Sequence, residues 1–95
     1  MKRALRPSRQ VIEFVSRLAP APRRALKRAL EELRAGRGDI QSLEANLSGY
    51  HRLRAGKYRI IFQYAREGAI DAVFIEQREL VYEVFAAELA KKLLD

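Results

Sequence analysis

The chain has 95 residues, of which 48% are apolar and 33% are charged. This composition is typical of a folded protein with one modest core. We therefore expect a single domain over residues 1–95 and exclude a second catalytic domain. It contains no cysteine and a single histidine, His51, which excludes disulfides and zinc clusters and leaves us expecting neither a metal nor a cofactor. A net charge of +7 favours a polyanion or an acidic protein as partner, with simple solubility as the alternative.

The N-terminal segment predicts a short strand followed by a helix. Lys2 to Leu5 form the candidate strand, Pro7 ends it, and Ser8 is placed to cap the helix that follows. Apolar residues at helical spacing extend this helix over residues 9–18. The basic N-terminus leads into no apolar signal segment, and no stretch approaches eighteen consecutive apolar residues. We therefore expect a soluble, cytoplasmic protein that does not associate with membranes.

A second helix is predicted after the proline-containing connection at residues 19–22. Pro22 suits its first turn because the amide hydrogen that proline lacks would be unpaired there. Gly36 and Gly38 supply its stop. Four apolar residues line its buried face: Leu26, Ala29, Leu30 and Leu33.

Four cations crowd the first half of this second helix, where the helix dipole already favours anions. They are Arg23, Arg24, Lys27 and Arg28. Two interpretations stay open: the four residues form a solvated helix face, or they form a patch that contacts phosphates.

The central part of the chain predicts a β-meander of three strands. Residues 39–48 have weak periodicity and are interpreted as an irregular connection. Beyond Gly49 the pattern changes to a period of two, with Gly56 at the turn between the first two strands. Residues 70–75 are apolar and branched enough to form a central strand. In the strand after Gly56, one face carries Tyr58, Ile60, Phe62 and Tyr64.

Helical spacing resumes from Glu79 to Leu94 and predicts a short amphipathic C-terminal helix with an apolar stripe at Phe85, Leu89 and Leu93. The predicted order is β-α-α-β-β-β-α, an α+β domain with a small, mainly antiparallel sheet. The first two helices would pack on one face of this sheet. The other face would be left partly open.

Positive charge is concentrated in the first two thirds of the sequence. Residues 1–37 carry eleven Lys and Arg against three Asp and Glu, residues 38–66 carry five against two, and residues 67–95 carry three against seven. Four of these cations fall on two adjoining strands within residues 50–62, which read YHRLRAGKYRIIF. Like charges on neighbouring strands are mildly destabilising. The cluster therefore predicts a binding site for an anion.

Two motifs resemble those of the RelE/ParE superfamily of type II toxin–antitoxin toxins. The first is Arg52-Leu53-Arg54-x-Gly56-x-Tyr58-Arg59, and the second is Arg78-x-x-x-Tyr82. The resemblance extends over nearly the whole chain in length, element order and charge. It implies a RelE-like fold and a toxin that an acidic antitoxin neutralises.

In the ribosome-dependent endoribonucleases of that superfamily, two arginines and a tyrosine surround the scissile phosphate. The resemblance gives these catalytic roles to Arg59, Arg78 and Tyr82. Guanidinium groups stabilise the phosphorane that forms when a ribose 2′-hydroxyl attacks the adjacent phosphate, and the tyrosine would orient that hydroxyl or stack on a base. The implied RNA-binding residues are Arg52, Arg54, Lys57, Arg23, Arg24, Lys27 and Arg28.

The resemblance does not identify a general base. Arg52 stands on the strand where relatives carry lysines, and arginine does not lose its proton in proteins. Three other residues are candidates: His51, Glu76 and Glu44. We expect His51 on the face of the sheet opposite Arg52, and both carboxylates have the alternative of pairing with arginine.

Structural roles also stay open for the implied site residues. Tyr82 and Phe85 could pack the last helix onto the sheet. Arg59 could pair with Glu76 across adjacent strands as ordinary sheet stabilisation. Neither role accounts for the density of cations.

The favoured interpretation is a toxin that cleaves mRNA on the ribosome and binds ribosomal RNA. The alternatives are a ParE-like toxin that inhibits DNA gyrase without catalysis, and a degenerate member that acts only by binding. We expect an acidic antitoxin that contacts Phe85, Leu89 and Leu93, and operator DNA bound only through the antitoxin complex.

Overall fold

The computed structural model describes residues 2–77 and 80–94. The elements in chain order are β1 (Leu5–Pro7), α1 (Arg9–Ser16), α2 (Pro20–Arg34), β2 (Asp39–Ser42), a 3₁₀ helix (Ala45–Leu47), β3 (His51–Ala55), β4 (Tyr58–Tyr64), β5 (Ile70–Gln77) and α3 (Leu80–Leu94). The strands form one five-stranded sheet in the order β1-β5-β4-β3-β2. Strand β1 is parallel to β5, and the other pairs are antiparallel. The predicted α+β class is confirmed.

The first strand lies later in the chain than the sequence predicts. It spans Leu5–Pro7 rather than Lys2 to Leu5, so Pro7 belongs to the strand instead of ending it. Proline is tolerated there because β1 is at the edge of the sheet, where a missing amide hydrogen need not break the ladder. Ser8 caps α1 as predicted, and its Oγ accepts a hydrogen bond from the Val11 amide at 3.2 Å.

Helix boundaries differ from the prediction by a few residues. Helix α1 ends at Ser16 rather than at residue 18. Helix α2 begins at Pro20, so both Pro20 and Pro22 lie at its start, where neither amide hydrogen is needed. The predicted buried face of α2 is confirmed, with Ala29 partly buried and three residues fully buried: Leu26, Leu30 and Leu33.

The irregular connection predicted for residues 39–48 is wrong for its first four residues. Asp39–Ser42 forms β2, which pairs with β3 over four residue pairs, from Asp39↔Arg54 to Ser42↔His51. The meander therefore has four strands. Its periodicity is weak because β2 is an edge strand in which only Ile40 packs against the core. Hydrogen bonding to β3, rather than side-chain burial, fixes this segment in the sheet.

A hydrophobic cluster covers each face of the sheet. On the α1/α2 face, α1 and α2 pack on residues of β3, β4 and β5, including Leu53, Ile60, Phe62 and Ile75. On the α3 face, Val81 and Phe85 of α3 pack on Leu47, Ile61 and Phe74. Helix α3 thus covers part of this face. The C-terminal helix spans fifteen residues, close to the predicted range, and Val81 and Phe85 make it part of the core.

A β-bulge lets β5 supply both clusters. Ile61 pairs with Phe74, whereas its neighbour Phe62 pairs with Ala72, so Val73 has no partner residue on β4. The extra residue shifts the alternation by one position. Ala72 therefore faces α1 and α2, while Val73 and Phe74 pack under α3.

Polar side chains tie β1 and α1 to β5. The Arg6 guanidinium donates to both carboxylate oxygens of Asp71, at 2.7 and 3.0 Å, and to Glu67 at 2.6 Å. These bonds lower the pKa of the Asp71 carboxyl below its ordinary value. A backbone hydrogen bond, followed by the Arg6 guanidinium, lowers the pKa of Glu67. Both carboxylates are therefore ionised at neutral pH and pair with Arg6 beside the β1–β5 ladder.

Beyond the end of β1, two side chains of the α1 region cover the edge of β5. The Ser8 Oγ donates to the Val73 carbonyl at 3.0 Å. The Gln10 amide donates to the Ile75 carbonyl at 2.8 Å and accepts from the Ile75 amide at 2.9 Å. Gln10 thus replaces the main chain of a neighbouring strand at this position.

We predict that Gln10→Ala lowers the free energy of unfolding by about 1–3 kcal/mol, because it leaves a part-buried backbone donor and acceptor without partners. Urea denaturation of the two proteins measures the difference. Arg9→Ala on the same turn is the control, since its surface pair with Glu13 contributes little. Equal stability of Gln10→Ala and the wild type would contradict this role for Gln10.

Candidate functional site

Four charged side chains form a row across the α3 face of the sheet. The pairing Asp39↔Arg54, Arg54↔Arg59 and Arg59↔Glu76 places one residue from each of β2 to β5 side by side. Side chains directly opposite in antiparallel strands have Cβ atoms about 4.5–5.5 Å apart. We call these four residues the charged row. It lies one same-face position beyond Ile61 and Phe74, which pack under α3.

The Arg59 guanidinium is held by its own turn. Its Nη1 donates to the Gly56 carbonyl at 2.9 Å and to the Tyr58 carbonyl at 3.0 Å. Gly56 has a φ of 61°, which a residue with a side chain rarely adopts, and so allows this tight turn. Both bonds use Nη1, and within the described part of the chain Nε and Nη2 have no protein acceptor. A half-buried, oriented guanidinium with donors to spare is suited to bind an anion.

Arg54 differs from Arg59 in its exposure. Its side chain is exposed and has no hydrogen-bond acceptor among the described residues. It stands directly opposite Arg59, an arrangement that costs energy unless an anion lies between the two cations. The Arg54–Arg59 pair is therefore the part of the sheet best suited to contact a phosphate.

Arg52, by contrast, is engaged within the protein. Its side chain is 13% exposed. It donates to the Asp39 carbonyl at 3.0 Å, to the Asp39 carboxylate at 3.2 Å and to the Gln41 side-chain carbonyl at 2.7 Å. These contacts fasten β2 to β3. The sequence does not predict Asp39 and Gln41 as partners, because their segment has weak periodicity, although their alternating polar positions after Gly38 are a signal of an edge strand.

The remaining members of the implied catalytic set are placed only in part. Tyr82 is half-buried on α3 and packs against the cluster of the α3 face, on the same side of the sheet as Arg59. Arg78 lies outside the described residues. Arg59 and Glu76 are opposite in register, but within the described ranges they form no ion pair. The ion pair between Arg59 and Glu76 that the sequence left open as a structural role is therefore not formed.

The other candidate bases lie away from the charged row. The His51 ring stacks on Phe62 at 5.4 Å and its Nδ1 is 3.1 Å from the Ser42 Oγ. Because Phe62 belongs to the α1/α2 cluster, His51 lies on the face opposite Arg52, as predicted. Glu44 is exposed and precedes the 3₁₀ helix, at the end of β3 remote from Arg54.

The predicted RNA-binding cations divide between the two sides of the sheet. Arg52 and Arg54 lie on the α3 face. Lys57 is exposed at the β3–β4 turn, with its ammonium 5.6 Å from the centre of the Tyr58 ring. The four cations of α2 belong to the helical layer on the other side: Arg23, Arg24, Lys27 and Arg28.

The predicted antitoxin contacts differ in accessibility. Phe85 is buried and contacts the Tyr50 ring edge-on at 5.0 Å. Leu89 is half-buried against the same cluster. Leu93 is 78% exposed. A partner could therefore reach Leu93 directly, but could reach Phe85 only by displacing α3.

The polar groups on the α3 face do not resemble a metal site. Within residues 2–77 and 80–94, no three His, Asp or Glu side chains converge as metal ligands would.

Among the helices of those same ranges, none has both the length and the apolarity to cross a membrane.

Comparison with solved structures identifies the fold class as that of RelE. The chain matches the RelE chain of the toxin–antitoxin complex RelBE2 from Mycobacterium tuberculosis with a TM-score of 0.71 and 18% identity, covering 82% of this chain and 100% of that one. It matches the archaeal RelE of the RelE–RelB complex from Pyrococcus horikoshii with a TM-score of 0.67 and 22% identity, covering 83% and 98%. A third match, from the RelB–RelE antitoxin–toxin complex of Methanococcus jannaschii, has a TM-score of 0.65 and 19% identity, covering 84% and 98%.

The fold expected from the sequence motifs is therefore confirmed. The sequence itself matches no family model and no curated protein. Identities of this size show a shared fold and leave function to be argued from the site.

We predict that Arg52→Ala destabilises the protein and that Arg54→Ala does not. Arg52→Ala should lower the free energy of unfolding by about 1.5–3 kcal/mol, because it removes charge-assisted hydrogen bonds from a largely buried group. Arg54→Ala should change it by less than about 0.5 kcal/mol. Denaturation curves measure both values, and a smaller loss for Arg52→Ala than for Arg54→Ala would contradict the assignment.

Proposed function

We propose that this chain is the toxin of a type II toxin–antitoxin system and acts as a ribosome-dependent endoribonuclease on mRNA. The observation that carries the proposal is the Arg54–Arg59 pair, which presents two guanidinium groups on the sheet face against which the helix of Tyr82 packs. The RelE fold, found in complexes of toxin and antitoxin, supports the toxin role.

The chemistry of RNA cleavage fits this pair of arginines. Attack of a ribose 2′-hydroxyl on the adjacent phosphate forms a phosphorane with additional negative charge, which guanidinium donors stabilise. Arg59 is already oriented by the Gly56 and Tyr58 carbonyls, so little reorganisation is required when the charge develops. Arg54 is exposed, and its side chain would contact the phosphate when the mRNA enters the site.

Two further residues complete the proposed active site. Tyr82, at the start of α3, would orient the 2′-hydroxyl or stack on the adjoining base. Arg78 follows β5 by one residue in the sequence and would supply the second catalytic guanidinium. Both roles come from the resemblance of the Arg78-x-x-x-Tyr82 motif.

The distribution of basic residues supports a requirement for the ribosome. The cations of α2 lie on the side of the sheet opposite Arg54 and Arg59, so one short RNA strand cannot bridge the two sets directly. A large polyanion such as the ribosome would contact α2 and Lys57 while mRNA enters the Arg54–Arg59 site. Orientation of the message by the ribosome would then contribute to the rate.

We predict that Arg59→Ala and Arg78→Ala each abolish growth inhibition while the proteins remain folded, because each removes a contact to the scissile phosphate that is worth several kcal/mol in the transition state. The measurement is growth after brief induction, combined with mapping of transcript 5′ ends. Wild-type protein should produce cuts inside translated codons. Lys91→Ala, an exposed change on α3, is the control.

Other results of that experiment point to other functions. Full toxicity of a folded Arg59→Ala/Arg78→Ala protein would contradict the nuclease. Intact transcripts together with gyrase-poisoned DNA would favour the ParE-like alternative. The absence of both effects would indicate a member that acts only by binding.

We further propose an acidic, partly disordered antitoxin that folds on binding. Its carboxylates would contact Arg54 and Arg59, and its apolar residues would cover Leu93 and Leu89 at the end of α3. Operator DNA would be bound only through the antitoxin complex. Apolar contacts would supply most of the affinity, whereas the charges would accelerate encounter.

We predict different kinetic effects for the two parts of this interface. With the acidic product of the adjacent reading frame as ligand, Arg54→Glu should lower the association rate constant at least tenfold at low salt. Leu93→Asp should mainly raise the dissociation rate constant. Surface plasmon resonance at several salt concentrations measures both. A partner that protects neither the charged row nor α3 from hydrogen exchange would contradict this mode of neutralisation.

A further inference from the structure

One carboxylate stands beside the paired arginines in the charged row. Glu76 is half-buried and lies opposite Arg59 in the register of β4 and β5. Its side chain is on the α3 face, because the preceding residue, Ile75, belongs to the α1/α2 cluster. Directly opposite Cβ atoms are about 4.5–5.5 Å apart. The Glu76 carboxylate is therefore within reach of a phosphodiester bound at Arg59.

Other proton acceptors suggested by the sequence do not share this position. His51 is on the α1/α2 face. Glu44 lies beyond Tyr50 at the far end of β3, and the four residue steps from Tyr50 to Arg54 span about 13 Å. Asp39, in the charged row, is bonded to Arg52 at 3.2 Å and is two strands away from Arg59. Among the described residues, Glu76 is the carboxylate adjacent to Arg59.

We propose that Glu76 is the general base of the cleavage reaction, an inference that rests on the proposed function. The 2′-O–H bond breaks and its proton passes to the Glu76 carboxylate, while the 2′-oxygen forms a bond to phosphorus. The P–O5′ bond then breaks, and the leaving oxygen takes a proton from solvent. The products are a 2′,3′-cyclic phosphate and a 5′-hydroxyl, and Glu76 returns its proton to solvent.

A carboxylate that only balances the charge of the arginines makes a different prediction. Removing one negative charge beside a phosphate site strengthens anion binding whether or not that group is a base. Charge balancing alone therefore leaves cleavage unchanged or faster. A base makes the cleavage rate fall while binding is kept or improved.

The experiment compares Glu76→Gln with Glu44→Gln, which removes the same charge at the far end of the sheet. Single-turnover cleavage of a defined mRNA on programmed 70S ribosomes is measured at saturating toxin, together with the Kd of toxin for the same ribosomes. We expect Glu76→Gln to lower the cleavage rate by about 10²–10⁴-fold with an equal or lower Kd. Glu44→Gln should behave as the wild type.

The outcomes separate this inference from the function on which it rests. Wild-type cleavage by folded Glu76→Gln, or a large loss in Glu44→Gln, would overturn the role of Glu76 and leave the nuclease standing. Failure of the wild-type protein to cleave would overturn both. If Glu76→Gln does not fold, Glu76→Asp decides: a slower rate with unchanged Kd supports the base, and an unchanged rate overturns it.

Discussion

Burial of both faces of the central strands is the constraint on which the rest of this structure depends. Strand β4 sends Ile60 and Phe62 to the α1/α2 face and Ile61 to the α3 face. Strict alternation along β5 would not match both clusters, and the bulge at Val73 resolves the mismatch. With the middle of the sheet enclosed, charged residues are confined to its ends and edges. The charged row next to the β3–β4 turn is one result.

Arginines that look equivalent in the sequence have different roles in the fold. Arg52 fastens the edge strand β2, and Arg6 fastens the edge strand β1 through Asp71. Arg59 is oriented by its own turn, and Arg54 projects to solvent. Edge strands lack one set of ladder bonds, so side-chain ties such as these stabilise them. The density of cations thus serves both the sheet and the site, and only part of it is available to a ligand.

The arrangement of charges also bears on the size of the proposed partner. A small anion would need only the Arg54–Arg59 pair, and the second basic surface on α2 would then have no role. A polyanion larger than the domain can contact both sides of the sheet. Helix α3 completes the core on the face that carries the charged row, through Val81 and Phe85, and Tyr82 packs against the same cluster. Any partner that displaces α3 would therefore expose apolar surface on the face that carries the charged row.

The sequence by itself determined the features that depend on local chemistry. Ser8 as a helix cap, the buried stripe of α2, the period-two faces of β4 and the position of His51 all follow from capping, periodicity and turn residues, and the motifs around Arg59 pointed to the RelE fold. Only the tertiary structure decided the place of β2, the bulge at Val73, the packing of α3 and the partners of Arg52. Each of these depends on which segments meet in space. An edge strand is held by hydrogen bonds to its neighbour, and a bulge forms where one strand must supply side chains to a hydrophobic cluster on each face of the sheet. A buried arginine needs acceptors that lie on another strand.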